Sequence, residues 1–362
     1  MNILPLCLSL ISFLTGTNSI DKSIGAELLF VGDAMMHQAQ IDHAFLEGNN
    51  TSYNFDDCFS LIAPTIIDAD YAVCNLETPL GGGPKYTGFP CFSAPDSYAE
   101  ALKNAGFDMF LTANNHSLDR LDKGVRRTIK VLDNMHIDHI GTYHDTIQRQ
   151  QLIPFIKNIN GIKIGFLNYT YGTNGLNATN GAEVALIDRQ KISNEIKRTR
   201  NAGAEIICVC IHWGIEYVLL ENSTQRDIAD FLIKEGVDLI IGGHPHVIQP
   251  MKIIRNKQEN KDVLIVYSLG NFISNMKTND TRGGAFIKCR ISRDSNGKAR
   301  LINANYDTFY TVKPIGKGSN FMVVPSWLSN HIPAGQIANW HIFNNTARKI
   351  FNTHNINVLP LH

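Results

Sequence analysis

The chain has 362 residues, enough for one large domain or two modest ones with a sizeable hydrophobic core. Lysine plus arginine and aspartate plus glutamate balance at 33 each, so no basic excess is present to neutralise a phosphate backbone, and we expect no nucleic-acid partner. Hydrophobic residues make up 44% of the chain, which is typical of globular proteins and argues against a disordered chain.

The first 24 residues resemble an export signal. Residues 3–14 form an apolar run that is too short to span a bilayer comfortably. Thr17 and Ser19 follow with the spacing of a small-x-small cleavage site, although no lysine or arginine precedes the run. We interpret residues 1–24 as a signal peptide or an N-terminal anchor, and a disordered or packed segment is the alternative. The protein is therefore expected to be exported, periplasmic or at the cell surface, with membrane anchoring through the N-terminus as a further option.

Short apolar runs that end in polar residues alternate with helical patterns along the chain. The predicted strands are residues 27–31, 70–74, 107–113, 162–168, 206–211, 237–241 and 263–267. The predicted helices are residues 97–105, 124–134, 189–202 and 224–235, the last with a capping box of Thr224 and Asp227. This alternation predicts a layered α/β fold, and continuous apolar strands are typical of a sheet covered on both faces.

Two further segments complete the predicted organisation. Residues 251–262 have the pattern of a charged hairpin. The chain after residue 290 is less patterned. We therefore predict one domain over residues 25–290 and a C-terminal extension over residues 291–362 that packs on it.

The seven cysteines do not indicate a structural metal site, because no Cys-x-x-Cys pair occurs. Six remain if residues 1–24 are removed, and an even number permits disulfides in an exported protein. However, Cys208 and Cys210 lie two residues apart in an apolar strand, so both side chains point to one face. We predict that these two are buried free thiols.

Polar residues that can bind metals stand at the ends of five predicted strands. They are Asp33, Glu77, Asn115 with His116, His212, and His244 with His246. Taken singly, each has an ordinary explanation as a turn residue, a helix cap, a solvated loop residue, a satisfied core histidine or a surface pair. Loops at the carboxyl edge of an α/β sheet converge, however, and together these residues form a nitrogen-and-oxygen ligand set without a thiolate. We therefore predict a divalent metal site, with two ions of Mn, Fe or Zn.

Such a site suits the hydrolysis of a phosphate ester. Two ions a few ångströms apart could bind a phosphate and lower the pKa of a water, while His116 protonates the leaving oxygen. Glu216 lies close to His212 in sequence and is predicted to support it as a carboxylate partner. Asn114 and Asp119, which flank His116, are further supporting candidates.

Six motifs in the chain resemble those of a known family. They are Gly32-Asp33-Ala34-Met35, Asn75-Leu76-Glu77, Ala113-Asn114-Asn115-His116-Ser117-Leu118-Asp119, His212-Trp213-Gly214-Ile215-Glu216-Tyr217, Gly243-His244-Pro245-His246-Val247 and Tyr267-Ser268-Leu269-Gly270-Asn271-Phe272. In this order, between about residues 27 and 276, they resemble the CapA family, which is named for bacterial poly-gamma-glutamate capsule biosynthesis. That family belongs to the calcineurin-like metallophosphoesterase superfamily.

The resemblance implies a four-layer α/β/β/α sandwich of the metallophosphoesterase type and a distribution of ligands. Asp33 and His246 would bind the first metal ion, and Glu77 would bridge the two ions. The second ion would be bound by Asn115, His212 and His244. His116 would be the proton donor. The wider superfamily has a histidine where this chain has Met35, which is the usual residue within the CapA family. A thioether is a weak ligand for Mn, Fe or Zn, so His37 is a candidate to complete the first site, with a surface histidine as the alternative.

The functional prediction is a metal-dependent hydrolase of a phosphoester or related bond in capsule, polyglutamate or cell-envelope metabolism. One alternative is a non-hydrolytic component of a membrane-associated complex for polymer synthesis and export. Another is an amide hydrolase of such a polymer. The expected partner is an anionic small molecule or an envelope polymer, and the loops at residues 85–95 and 169–175 are expected to shape its pocket.

Overall fold

The computed structural model describes residues 25–316 and 318–361. The predicted signal peptide or anchor, residues 1–24, lies outside the described residues. Within the described ranges, none of the helices combines the length and the apolar character that crossing a membrane requires.

The first sheet contains strands from both ends of the described chain. Strands are numbered in chain order. Those of the first sheet lie side by side as β16 (Met322–Pro325), β15 (Ala299–Val312), β14 (Gly283–Arg293), β1 (Ala26–Ala34), β2 (Tyr71–Leu76), β3 (Met109–Leu111) and β4 (Asp138–Ile140). In addition, β13 (Asn271–Ile273) pairs with β1, and β17 (Leu359–Pro360) pairs with β15. Strands β1 to β4 are parallel, so their carboxyl ends share one edge.

The second sheet is built from the middle of the chain. Its strands lie in the order β11 (Met251–Asn256), β12 (Lys261–Val266), β10 (Leu239–Gly243), β9 (Ile206–His212), β7 (Ile162–Thr170) and β6 (Phe155–Ile159), and a separate pair joins β5 (Thr142–Tyr143) to β8 (Glu183–Val184). Strands β12, β10, β9 and β7 are parallel. Strand β11 is antiparallel to β12, which confirms the predicted hairpin.

Eight α-helices lie in the described ranges. They are α1 (Gln38–Glu47), α2 (Ala63–Ile67), α3 (Asp96–Asn104), α4 (Leu121–Asn134), α5 (Thr146–Leu152), α6 (Arg189–Asn201), α7 (Ser223–Lys234) and α8 (Ile337–His354), with short 3₁₀ turns at Asp56–Phe59, Asn279–Thr281 and Ser326–His331. The four predicted helices are confirmed as α3, α4, α6 and α7. Helices α1, α2, α5 and α8 were not predicted.

The predicted capping box of α7 is wrong in its residues. Asn222 caps the helix by accepting a hydrogen bond from the backbone N–H of Gln225 at 2.8 Å. The side chain of Gln225 in turn accepts from the backbone N–H of Asn222 at 3.0 Å. The helix therefore begins one residue before Thr224, and the polar pair two residues upstream of the predicted one satisfies its free N–H groups.

The two sheets stack face to face, with helices on both outer faces. On β1, Leu28 and Phe30 enter the core between the sheets, whereas the alternate residues pack under the helices of the first layer. On β9, Ile207 and Val209 pack beneath α6 and α7. This alternation has the period of a β-strand and gives four layers, so the α/β/β/α sandwich implied by the family resemblance is confirmed.

The cysteines of β9 confirm the prediction of free thiols. Cys208 and Cys210 both face the core between the sheets and are fully buried. Their sulfur atoms lie 3.9 Å apart, well beyond the length of a disulfide bond. The other cysteines in the described ranges are also free.

The chain after residue 290 continues the first sheet. The predicted division between residues 290 and 291 falls within β14, which pairs with β15 along almost its whole length. Helix α8 contributes Ala347, Ile350 and Phe351 to the core between the sheets. The division into a domain and a C-terminal extension that packs on it stays a prediction.

Gly32 allows the backbone of Gly270 to lie close to β1 at the edge of the first sheet. A Cβ atom at this position would lie 1.8 Å from the carbonyl oxygen of Gly270, and the next residue, Asp33, donates its N–H to that oxygen at 3.0 Å. Since neither backbone can move without breaking this pairing, an added methyl group forces strain into the sheet.

We expect Gly32→Ala to lower the free energy of unfolding by roughly 1–3 kcal/mol, the usual cost of overpacking. The measurement is the midpoint of urea unfolding. Gly335→Ala is the matched control, because no atom lies within 4 Å of a Cβ built there. Equal midpoints for the two variants would contradict the prediction.

Candidate metal centre

The ends of five strands bring the predicted site residues together where the two sheets meet. Asp33 is the penultimate residue of β1, and Glu77 follows the end of β2. From the other sheet, His212 is the last residue of β9 and pairs in register with Gly243, the last residue of β10. A Cβ on Gly243 would lie 2.8 Å from Asp33 Oδ1, so the absence of a side chain lets the two sheet edges approach.

Asp33 is the best connected of the carboxylates. Its Oδ1 accepts a hydrogen bond from Asn75 Nδ2 at 2.7 Å, and its Oδ2 accepts from the backbone N–H of His244 at 3.2 Å. His246 Nδ1 lies 3.3 Å from the same Oδ2. Burial alone would raise the pKa of Asp33, but the hydrogen bond with His246 and the charge of His212 hold that pKa well below its ordinary value. Asp33 is therefore an ionised carboxylate.

Glu77 is in the opposite situation. Its side chain is fully buried, and neither carboxylate oxygen has a hydrogen-bond partner in the part of the chain that the structure describes. The ring nitrogens nearest to Oε1 are His212 Nε2 at 3.7 Å and His246 Nε2 at 3.8 Å, too far for hydrogen bonds. Burial, followed by the negative charge of Asp33, raises the pKa of Glu77 well above its usual range. A buried carboxylate without donors is costly, and a cation between these groups would remove that cost.

Two of the site histidines, His212 and His244, have the protonation state that metal ligands need. Burial lowers the pKa of His244 to about 3, and it also lowers the pKa of His212 well below its usual value. Both imidazoles are therefore neutral near pH 7. His212 Nε2 lies 2.8 Å from Asn115 Oδ1, and His246 Nδ1 lies 2.9 Å from Asn271 Oδ1, whereas His244 Nδ1 is buried and has no partner.

The loop that carries His244 and His246 has an unusual backbone. Their φ angles are +97° and +58°, in the left-handed region that residues with side chains rarely adopt. The hydrogen bond from the His244 N–H to Asp33 contributes to holding this conformation. Such strain is typical of sites where side-chain direction matters more than local stability.

The possible ligand atoms fall into two groups. Asp33, Glu77 and His212 form one group, and Glu216, His244 and His246 form the other, with all atoms in each group within 4.8 Å of one another. The six predicted ligands thus gather in one place, with Asn115 joined to His212. The distribution implied by the family resemblance, with Asp33 and His246 on one ion and His212 and His244 on the other, stays a prediction. Glu216, which was expected to support His212, lies instead with His244 and His246.

His116 and Asp119 form a buried pair beside these groups. His116 Nδ1 lies 2.8 Å from Asp119 Oδ2, and the same oxygen accepts the N–H of Phe92 at 2.6 Å. The ring of Phe92 packs edge-on against His116, with centroids 4.4 Å apart. Asn114 donates through Nδ2 to the backbone oxygen of Leu76 at 2.9 Å and so joins this loop to the end of β2. The predicted supporting residues therefore surround the predicted proton donor.

Met35 and His37 lie outside both groups. Met35 is buried, and its carbonyl oxygen accepts hydrogen bonds from Gln40 Nε2 and Tyr98 Oη at 3.1 and 3.2 Å. His37 precedes α1, and its Nδ1 accepts the N–H of Asn275 at 3.3 Å. Burial lowers the pKa of His37 to about 4. Its proposed part in completing the first metal site stays a prediction.

Sequence reasoning missed two asparagines that orient the ligands. Asn75 donates to Asp33, and Asn271 pairs with His246. Both occur in the motifs quoted above, and both stand within or beside a strand end, so the same criterion that selected Asn115 could have found them. The loop at residues 85–95 supplies Phe92, and the loop at residues 169–175 supplies Tyr171, whose ring lies 4.5 Å from that of His244.

Comparison with known proteins gives consistent results. The family model described as the bacterial capsule synthesis protein PGA_cap matches residues 27–276. The PGA biosynthesis protein CapA of Bacillus subtilis (strain 168) is 26% identical over 273 residues, which is 74% of this chain and 68% of that protein. The capsule biosynthesis protein CapA of Bacillus anthracis is 28% identical over 286 residues, 76% of this chain and 65% of that protein.

The chain therefore spans about two thirds of the length of these relatives. Among solved structures, the NAD nucleotidase NadN of Haemophilus influenzae aligns over 92% of this chain and 64% of its own, with 10% identity and a TM-score of 0.46. The family model covers well over half of the chain and contains all six motifs. The chain belongs to the PGA_cap family of bacterial capsule synthesis proteins, which confirms the family predicted from the motifs.

Proposed function

We propose that this protein is a metal-dependent hydrolase that cleaves a phosphoester or a related bond. The observation that carries the proposal is Glu77, a fully buried carboxylate with two unpartnered oxygens. It lies beside the neutral imidazole of His212 and a second buried carboxylate, Asp33. Since an isolated buried charge is unfavourable, this arrangement is explained by a bound cation better than by a role in folding.

The donor set fits divalent Mn, Fe or Zn, because it combines imidazole nitrogens with carboxylate and amide oxygens. Asp33, Glu77 and His212 would hold one ion, and His244 and His246 would hold a second. When bound, such ions supply Lewis-acid chemistry: they polarise a phosphoryl oxygen and make water a better nucleophile near neutral pH. Asn75 and Asn271 fix the orientation of Asp33 and His246 through their hydrogen bonds.

His116 is the residue suited to proton transfer. Its Nδ1 is engaged with Asp119, so Nε2 is the nitrogen that remains to protonate a leaving oxygen. Asp119 is itself fixed by the N–H of Phe92, and Phe92 packs against the imidazole. The ring therefore has a defined direction, as general acid catalysis requires.

The family suggests where this chemistry is used. The two relatives are named for the biosynthesis of a capsule and of PGA. We propose an anionic envelope polymer, or a small anionic precursor of it, as the substrate. An exported location, at the cell surface or in the periplasm, follows from the same proposal and from the signal-like N-terminal sequence.

The proposed function makes a first prediction about the thermal stability of a Glu77 variant. In EDTA, Glu77→Gln should melt at the same temperature as the wild type or higher, because the change removes a buried carboxyl group that has no partner. In saturating Mn²⁺ the wild type should have the higher melting temperature. A Mn²⁺ concentration of 100 times the Kd stabilises a protein that binds one ion by about 2.7 kcal/mol. Differential scanning calorimetry in both buffers measures the melting temperatures of the two proteins. A variant that is destabilised equally in both buffers would speak against a cation at Glu77.

The second prediction concerns turnover of 4-nitrophenyl phosphate. Wild-type protein should hydrolyse it with Mn²⁺ and stop when EDTA is added. Asn115→Ala and His244→Ala should each reduce kcat/KM by at least about 100-fold, because each removes a group expected to hold or orient an ion.

His331→Ala is the matched control for this assay, since His331 is exposed and distant in sequence from the site motifs. It should retain wild-type turnover. If both site variants hydrolyse the phosphate as fast as the wild type, the phosphoesterase proposal is rejected. A parallel assay with a γ-glutamyl anilide tests the amide-hydrolase alternative, and metal-dependent turnover of that compound alone would move the assignment to an amide bond.

A second candidate is a non-hydrolytic component of a polymer synthesis and export complex. The names of the two relatives, which describe biosynthesis rather than hydrolysis, favour it. Capsule production in cells that carry only His244→Ala distinguishes the two. Normal production favours the non-hydrolytic role, and its loss, with normal amounts of protein, favours hydrolysis.

A further inference from the structure

Glu216 lies in the loop after β9 and completes a group of three possible ligands with His244 and His246. We infer that Glu216 is a direct ligand of the second metal ion, rather than a carboxylate that supports His212. The inference rests on the proposed function only in assuming that ions bind at this site. It assigns the second ion a carboxylate in addition to Glu77, which the family resemblance implies as the bridge.

Two backbone hydrogen bonds place Glu216 beside the histidines. The N–H of Trp213 donates to the oxygen of Gly243 at 3.1 Å, and the N–H of Tyr217 donates to the oxygen of Pro245 at 2.8 Å. The loop around Glu216 is thus joined at both ends to the loop that carries His244 and His246. Gly214 and Tyr217 have φ angles of +98° and +66°, which give the chain the tight path between these two bonds. The position of Glu216 is therefore fixed by the fold.

The supporting role predicted from sequence is already filled by other residues. His212 Nε2 lies 2.8 Å from Asn115 Oδ1, and its Nδ1 lies 3.4 Å from Asn75 Nδ2. Asn271 occupies the corresponding place at His246 Nδ1. By contrast, His244 Nδ1 is buried and has no partner, so the group around Glu216 contains an unsatisfied buried nitrogen. A shared ion would satisfy the nitrogen and the carboxylate together.

The ion that His244 and His246 would hold also needs a third, stronger ligand. Met35 offers a thioether, a weak ligand for Mn, Fe or Zn, and His37 belongs to neither group of ligand atoms. Glu216 adds a hard oxygen donor within 4.8 Å of both histidine nitrogens. Modest side-chain rotation would bring all three to the separation that ligand distances of about 2.0–2.2 Å allow.

The charge balance is consistent with this assignment. Asp33, Glu77 and Glu216 carry three negative charges when ionised, and two divalent ions carry four positive charges. With two ions bound, the site would then keep a small net positive charge, which favours an anionic substrate. No large net charge would remain buried.

The test is metal binding to the full chain with Mn²⁺ alone. Elemental analysis and calorimetric titration should give two ions per wild-type chain and one per Glu216→Gln chain, or a second ion bound at least about 100-fold more weakly. Electron paramagnetic resonance should change from a spin-coupled pair to a single uncoupled Mn²⁺. Glu100→Gln is the matched control, because Glu100 is exposed on α3, and it should bind two ions.

His212→Ala should also bind one ion, and its combination with Glu216→Gln should bind none. Glu216→Asp keeps a carboxylate in a shorter side chain and should recover part of the lost affinity, which a general loss of folding would not allow. If Glu216→Gln binds two coupled ions with wild-type affinity, the inference is overturned while the proposed hydrolase stands. If the wild type binds no ion, both are overturned.

Discussion

The structure depends on two buried carboxylates at the junction of its two sheets. Asp33 is stabilised by an asparagine, a backbone N–H and a histidine, whereas Glu77 has no donor at all. Removing a carboxylate from water costs several kcal/mol unless a partner compensates for it. The first residue is therefore part of a finished protein network, whereas the second lacks such partners among the described residues. The proposed cation at Glu77 rests on this difference.

Glycines allow the two sheets to meet closely enough for that network to form. Gly32 lets the carbonyl of Gly270 lie against β1, and Gly243 leaves room for the carboxylate of Asp33. The hydrogen bonds of Asn75 and Asn271 then orient side chains from both sheets toward the same small volume. Since sheets are rigid, such a site can hold its ligands without a mobile loop, and the left-handed backbone of His244 and His246 is tolerated there.

The proposed chemistry divides between the two sides of this site. Strand ends of both sheets supply the ligands, while the loop after β3 supplies the pair of His116 and Asp119. Tyr171 and Phe92, from the two loops expected to shape the pocket, pack against His244 and His116. The same loop also carries Asn115, which is joined to His212, so a proposed ligand and the proposed proton donor are neighbours in the chain. Two relatives of this chain are named for the biosynthesis of PGA and of a capsule.

The sequence by itself determined the layered fold and predicted the candidate residues of the site, because apolar runs with polar ends mark parallel strands and their carboxyl edge. It also predicted the free thiols of Cys208 and Cys210 from their spacing. It could not determine which ligands share an ion. Glu216 follows His212 in the chain, and sequence proximity suggested that the two act together, yet hydrogen bonds between the loops place it with His244 and His246. Only the tertiary structure brings these side chains together, because their proximity depends on the register of β9 against β10, which joins segments about thirty residues apart.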